Sequence, residues 1–231
     1  MIGIIGIMDE EIISIKRKMQ VNQHVEIAGM QYYIGLIDEK EVVAVTSHQG
    51  KAGAAICTQI LIDRFDVEYI INVGVAGGLN PEINIGDLVV ASDRTKVDSE
   101  TLFDDDEKKY NDFKKVAYIE MNTRLTEAAL KAAHALRGNH KVYVGRISSE
   151  DEFICSMKLE KDIYTMHTAY CAEMEGTAIA NCCFWNQIPF VIVRMISDKA
   201  DPYAEMNFED FVDESARNTS RIIEGIVRAI E

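Results

Sequence analysis

The sequence is short of basic residues: 24 lysines and arginines stand against 38 aspartates and glutamates, for a formal net charge of −14. A nucleic-acid-binding surface needs a basic stripe to displace phosphate counterions, and an anionic membrane makes the same demand, so neither partner is expected. No apolar run reaches membrane-spanning length, and no basic segment followed by an apolar stretch opens the chain. The 3 prolines form no linker, and no repeat or shift in composition marks a boundary, so residues 1–231 are expected to make one domain. Cysteine is present in an odd number, 5, without a CxxC pair. Neither a zinc site nor a disulfide framework is expected, and a cytoplasmic, reducing location fits best.

What is present suits a globular α/β protein. At 48% hydrophobic and 27% charged residues, a chain of this length can bury a substantial core. Residues 2–7 read as a fully apolar strand, and 31–36 with 41–47 as a hairpin turning at Asp38, Glu39 and Lys40. Further strands are expected at 68–73, 87–92, near 141–148 and at 189–197. Helices are expected at 52–64, 123–136 and 175–186. Residues 95–116, with their acidic run Asp104 to Glu107, read as a solvated loop or insertion. From Phe208 onward the apolar residues follow helical spacing. Asn207 is a candidate N-cap, Asp210 a capping-box partner, and Met206 with Phe211 a staple. Alternating strands and helices predict a central mixed β-sheet flanked by helices.

In such folds sites gather at the ends of strands. Four clusters fall there: Met8 to Glu11, Gly74 to Gly78, Glu173 to Glu175, and Arg194 to Asp198. Singly, each has a plain explanation. Acids after a strand serve a helix N-terminus, a glycine-rich turn gives close packing, and an arginine ending a buried strand pairs with a carboxylate. The GxGxxG dinucleotide fingerprint is absent. Together, acids at separate strand ends suit chemistry at an anomeric carbon. One carboxyl group protonates the leaving group, and a second activates water or stabilises positive charge on the sugar. Spacing alone leads no further than a carboxylate-based hydrolase.

At these residues the sequence resembles the purine nucleoside phosphorylase/hydrolase superfamily, and within it the bacterial 5'-methylthioadenosine/S-adenosylhomocysteine nucleosidases. The segments that carry the resemblance are Ile2–Glu11 (IGIIGIMDEE), Asn72–Leu79 (NVGVAGGL) with Gly86–Val90 (GDLVV), Ala172–Ala180 (AEMEGTAIA) and Pro189–Asp198 (PFVIVRMISD). Their order and spacing match along almost the whole chain. The resemblance implies a nucleoside phosphorylase-like fold, a purine nucleoside as substrate, no metal or organic cofactor, and a homodimer. It implies that Asp198 protonates N7 of the leaving purine, that Glu11 activates water, and that Glu175 binds the ribose hydroxyls with help from the Met174 backbone. Ser197 and Arg194 hold the acid and its neighbours, and Glu173 supports them. Phe153 stacks on the base, and the Ile154 backbone reads its edge. Ala76 and Gly77 lie against the substrate, while Met8 and Phe208 line the sugar and 5'-substituent pocket.

The sequence also departs from the family pattern. Val75 stands where serine is frequent, and Ser47-His48-Gln49-Gly50 replaces a Ser-Gly-aliphatic-Gly pattern. Glu150-Asp151-Glu152 replaces Gly-Asp and a small residue, and the acidic Asp104–Asp106 region replaces an aromatic-containing segment. These changes suggest a 5'-group more polar or larger than methylthio. Two rival readings stand beside the hydrolase. The first is a purine nucleoside phosphorylase, disfavoured because Asp9, Glu10 and Glu11 repel phosphate. The second is a non-catalytic nucleoside-binding protein on the same fold.

Overall fold

A strand that is apolar at every position can be buried on both faces, and this property sets the architecture. The computed structural model describes residues 1–92, 95–96, 118–119 and 121–230. In chain order the elements are β1 (Ile2–Gly6), α1 (Asp9–Lys16), β2 (Gln20–Ile27), β3 (Met30–Ile37), β4 (Lys40–Thr46), α2 (Gly50–Phe65), β5 (Tyr69–Gly78), β6 (Leu88–Ala91), β7 (Thr95–Lys96), β8 (Tyr118–Ile119), α3 (Thr123–His134), β9 (Val142–Gly145), β10 (Ile147–Ser149), α4 (Met157–His167), β11 (Cys171–Glu173), α5 (Gly176–Trp185), β12 (Phe190–Asp198) and α6 (Ala204–Ala229). Every residue of β1, β6 and β12 is buried. These strands belong to a mixed sheet in the order β2-β3-β4-β1-β5-β12-β6-β9. β11 pairs with the end of β5 and with β10.

Because successive side chains point to opposite faces, each inner strand feeds two cores. Ile4, Val42, Ala44, Ile71, Val73, Val90, Val191 and Val193 pack on one face with Ile12 and Ile15 of α1, Leu125 and Ala129 of α3, and Ile222, Ile226 and Val227 of α6. Ile5, Val43, Val45, Ile70, Val89, Ile192 and Ile196 face the other way. They meet Ala54, Cys57 and Leu61 of α2 and Ile179, Ala180 and Cys183 of α5. Among the described residues, no helix is long and apolar enough to cross a membrane.

The hairpin of β3 and β4 turns at Asp38 and Glu39, both in the left-handed region with φ of 47° and 67°. The edge strand β2, the helices α1 and α4 and the short strands β7 and β8 go beyond the sequence reading. One expectation is corrected. Asn207 does not cap α6, because the helix begins at Ala204 with Tyr203 as N-cap. The turn at Asp201 starts it: Asp201 Oδ1 accepts from the Tyr203 N–H at 2.9 Å, and its carbonyl accepts from the Ala204 N–H at 2.9 Å. Met206 and Phe211 consequently both lie inside the helix and cannot staple its entrance. Of the expected loop at 95–116, only Thr95 and Lys96 are described, as the strand β7 paired antiparallel with β8. The acidic run lies outside the described residues.

The topology brings the carboxyl ends of three parallel neighbours together. β1 and β12 flank β5 in register, with Ile4 opposite Ile71 and Val191 also opposite Ile71. The segments that follow β1, the end of β5 and the end of β12 therefore meet at one edge of the sheet.

Candidate active site

A cavity of about 570 Å³ opens at that edge. Its walls include Met8, Glu11, Ala76, Gly77, Phe153, Glu173, Met174, Glu175, Arg194, Ser197, Asp198 and Phe208, together with Ile7, Gln49, Gly74, Val75 and Ala172. Beside Asp198 a narrow recess adds Glu152 and Ile154. All the site residues expected from the sequence except Ile154 thus border the cavity, and Ile154 borders the recess.

Asp198 ends β12, where pairing with β5 slips. Ile196 lies opposite Ala76 and Asp198 opposite Gly77, leaving Ser197 as an extra residue. Such an irregularity breaks the alternation of a strand and re-aims its side chains. Ser197 Oγ donates to Asp198 Oδ2 at 2.8 Å, and the Ala200 N–H donates to Oδ1 at 2.8 Å. Burial pushes the Asp198 carboxyl up from its ordinary value, and these two donors oppose the rise only in part. Gly77 is required here, since a Cβ at its position would lie 2.8 Å from Asp198 Oδ1.

Glu11 occupies the third position of α1, where a glutamate can turn back to the helix start. Its Oε2 accepts from the N–H groups of Ile7 and Met8 at 2.9 and 3.2 Å. Oε1 is buried without a partner among the described residues. It faces Gly74, whose missing side chain leaves room: a Cβ there would be 3.4 Å from Oε1. Burial pushes the Glu11 carboxyl up to about 7, although the two N–H groups and Arg194 pull it down. A half-ionised carboxyl with an open oxygen can hold and deprotonate a water.

Glu173 ends β11 and Glu175 is the N-cap of α5, and the two serve different ends. Glu173 Oε2 accepts from the N–H groups of Glu175 and Gly176 at 3.0 and 2.7 Å and from Arg194 Nη2 at 2.7 Å; Ser149 Oγ donates to Oε1. With four protein donors it is a supporting acid. Glu175 Oε1 instead accepts from the Gly50 N–H at 2.7 Å, so its carboxylate sits at the N-terminus of α2. Burial, then the neighbouring Glu173, raise the Glu175 carboxyl above its ordinary range.

Arg194 is 1% exposed and completes the network. Besides Glu173 it donates to Asn72 Oδ1 at 2.6 Å and to the Val193 carbonyl at 3.1 Å. It does not touch Asp198, which Ser197 and Ala200 hold. Burial alone lowers the Arg194 pKa, but Glu173, Glu175 and Glu11 outweigh it and the net direction is upward. One committed arginine among four carboxyl groups, Glu11, Glu173, Glu175 and Asp198, makes the cavity a poor place for phosphate.

Sequence reasoning assigned no role to Asn72 or Ser149. Asn72 is wholly buried and also donates to the Ile5 carbonyl at 3.0 Å. Its one available signal was a single amide inside an apolar strand. Of the departures, Val75 and Gln49 face the cavity. His48 does not, as its Nε2 lies 2.9 Å from the Ala28 carbonyl at the turn between β2 and β3. Glu150 accepts instead from Ser148 Oγ at 2.5 Å.

Comparison with known proteins places this arrangement. The sequence profile of the phosphorylase superfamily matches residues 1–228. A 5'-methylthioadenosine/S-adenosylhomocysteine nucleosidase of Staphylococcus carnosus is 36% identical over 231 residues, covering 100% of both chains. The solved structure of the Colwellia psychrerythraea nucleosidase of the same name, in complex with adenine, superposes with a TM-score of 0.88 at 31% identity, over 99% of this chain and 95% of that one. Futalosine hydrolase of Helicobacter pylori gives 0.84 at 28% identity, over 98% and 97%. The chain belongs to the 5'-methylthioadenosine/S-adenosylhomocysteine nucleosidases of the phosphorylase superfamily.

Proposed function

We propose that the protein hydrolyses the N-glycosidic bond of 5'-methylthioadenosine/S-adenosylhomocysteine-type nucleosides, releasing adenine and the 5'-substituted ribose. The observation that carries this reading is the unpartnered Oε1 of Glu11, buried in the same cavity as Asp198. The purine enters the Asp198 recess between Phe153 and the Ile154 backbone, and the ribose hydroxyls meet Glu175. As the bond from C1' to N9 lengthens, its electron pair moves into the purine, and Asp198 passes its proton to N7. The oxocarbenium-like sugar is stabilised by Glu175 and Glu11. Water held by Glu11 adds its oxygen to C1' and gives up a proton to Glu11. A carboxyl raised by burial suits the acid role, and an acid with a value of about 7 suits the base role.

The test is product analysis by chromatography after incubation with methylthioadenosine, S-adenosylhomocysteine and futalosine, with and without phosphate. Free purine base and free sugar at the same rate in both buffers, adenine from the two thionucleosides, is the expected result. A sugar phosphate formed only with phosphate makes the protein a phosphorylase. No cleavage of any of the three points to a different nucleoside as substrate or to a binding protein.

We further read residues 1–231 as one nucleosidase domain that works as a cytoplasmic homodimer in methionine salvage. All five cysteines are free, as a reducing compartment requires. Ile56 on α2 and Phe184 and Trp185 on α5 are exposed at 51%, 42% and 64%. The two helices pack side by side, with Asn186 Nδ2 donating to Gln59 Oε1 at 2.9 Å, and their apolar side chains suit a second copy. Sedimentation velocity should give twice the mass of one chain; a single-chain mass at micromolar concentration overturns the dimer.

A further inference from the structure

Gln49 is the N-cap of α2 and makes no capping hydrogen bond with its side chain. The side chain instead borders the cavity. Among the described residues, its one hydrogen-bond partner is Met174 Sδ, 3.9 Å from Nε2. A thioether sulfur is a weak acceptor, so an amide with two N–H donors and a carbonyl acceptor has nearly its whole capacity open. The Gln49 side chain is exposed, and Met8, Val75, Met174 and Phe208 line the same space beside the carboxyl groups of Glu11 and Glu175.

The position along the cavity identifies what this amide meets. Gln49 does not border the recess beside Asp198. It adjoins Gly50, whose N–H holds Glu175, so it lies at the sugar end. Gly50 is at φ +84° and carries no side chain to come between them. A nucleoside with its base at Asp198 and its ribose hydroxyls at Glu175 has its 5'-substituent as the remaining part able to reach Gln49.

We propose that Gln49 is a specificity-determining residue that hydrogen-bonds a polar group on the 5'-substituent, a hydroxyl, carbonyl or carboxylate a few atoms beyond the sugar. The inference rests on the nucleosidase reading above. An apolar tail lying over the amide strips it of water and returns no hydrogen bond, which costs binding. A tail with a polar end restores the bond, while its sulfur and methylenes pack against Met8, Met174 and Phe208. The selected substrate is thus amphipathic, apolar near the ribose and polar beyond it.

Two nucleosides of nearly equal size separate the effects: 5'-(2-hydroxyethylthio)adenosine and 5'-propylthioadenosine. Adenine release by the full-length enzyme should favour the hydroxyethyl compound by roughly fivefold in kcat/KM, the worth of one hydrogen bond. Gln49→Leu should remove or invert that preference, and Gln49→Glu, which keeps a hydrogen-bonding end, should retain it. The same ratio in wild type and Gln49→Leu overturns the proposal. So does a wild-type preference for the propyl compound. Calorimetric binding of both nucleosides to both proteins runs in parallel. A nucleosidase failure then appears as binding without adenine release, and the affinity ratio still decides the role of Gln49.

Discussion

Asp198→Asn is expected to reduce adenine release by ~10²–10⁴-fold, the range for losing a positioned general acid. Binding of a non-hydrolysable nucleoside analogue should change little. Asparagine keeps the size of the side chain and one carbonyl oxygen, so it can still accept the Ala200 N–H that now reaches Oδ1 at 2.8 Å. The fold should tolerate the change for the same reason, and burial, which raises the native carboxyl, no longer penalises a charge. The measurements are steady-state kinetics, calorimetry with the analogue, and thermal melting of both proteins. A loss of less than tenfold with unchanged binding would show that the proton comes from elsewhere. A parallel loss of melting temperature would assign Asp198 to the turn before α6. Gly77 explains why no larger side chain can stand under the acid, because its own Cβ would already crowd Oδ1 at 2.8 Å.

The sequence made the inner strands legible because their burial is two-sided. β1 and β6 are apolar throughout and β12 is apolar up to Arg194, and only a buried sheet accommodates such runs. β2 escaped for the opposite reason. Its sequence QVNQHVEI presents mostly exposed side chains at the sheet edge, so neither alternation nor an apolar run marks it. The start of α6 was misplaced by four residues, because the apolar stripe begins at Phe208 while the chain turns into the helix at Asp201. Periodicity reports where a helix buries a face, and the turn before it reports where the helix starts.

The acids of the site were legible as clusters at strand ends; their division of labour was not. Glu173 and Glu175 are two residues apart with the same side chain. Glu173 is saturated by Ser149, Arg194 and two backbone N–H groups, whereas Glu175 faces the cavity from the start of α2. What separates them is distant in sequence: Gly50 lies 125 residues from Glu175, and Asn72 lies 122 residues from Arg194. No local pattern encodes such pairings. The resemblance to a known family supplied the roles, and the geometry supplies the physical reason each residue can hold its role. Gln49 is the instructive case, because a departure from the family pattern is also a cavity side chain whose one partner among the described residues is a thioether sulfur.

Glu11→Gln is expected to abolish hydrolysis, by at least about 10²-fold, and to make the protein more stable above neutral pH. The amide oxygen of glutamine can still accept the N–H groups of Ile7 and Met8, so the cap at the start of α1 survives. The buried charge does not. The native carboxyl is raised from 4.5 to about 7, chiefly by burial. Between those two values the folded protein holds a proton that the unfolded chain has lost. Stability therefore falls as pH rises through this window and levels off above about 7. The charged form carries a penalty of about 3 kcal/mol that glutamine removes. Melting temperatures of the two proteins should nearly coincide at pH 4.5 and separate in favour of Glu11→Gln at pH 8. Catalysis runs the other way: the carboxylate must be ionised to accept the proton of water, so kcat/KM of the wild type should climb with a midpoint near 7. The pH that activates the enzyme is then the pH that strains its fold. If the variant instead melts lower at every pH, Glu11 serves only the helix start, and the open oxygen beside Gly74 has no part in activating water.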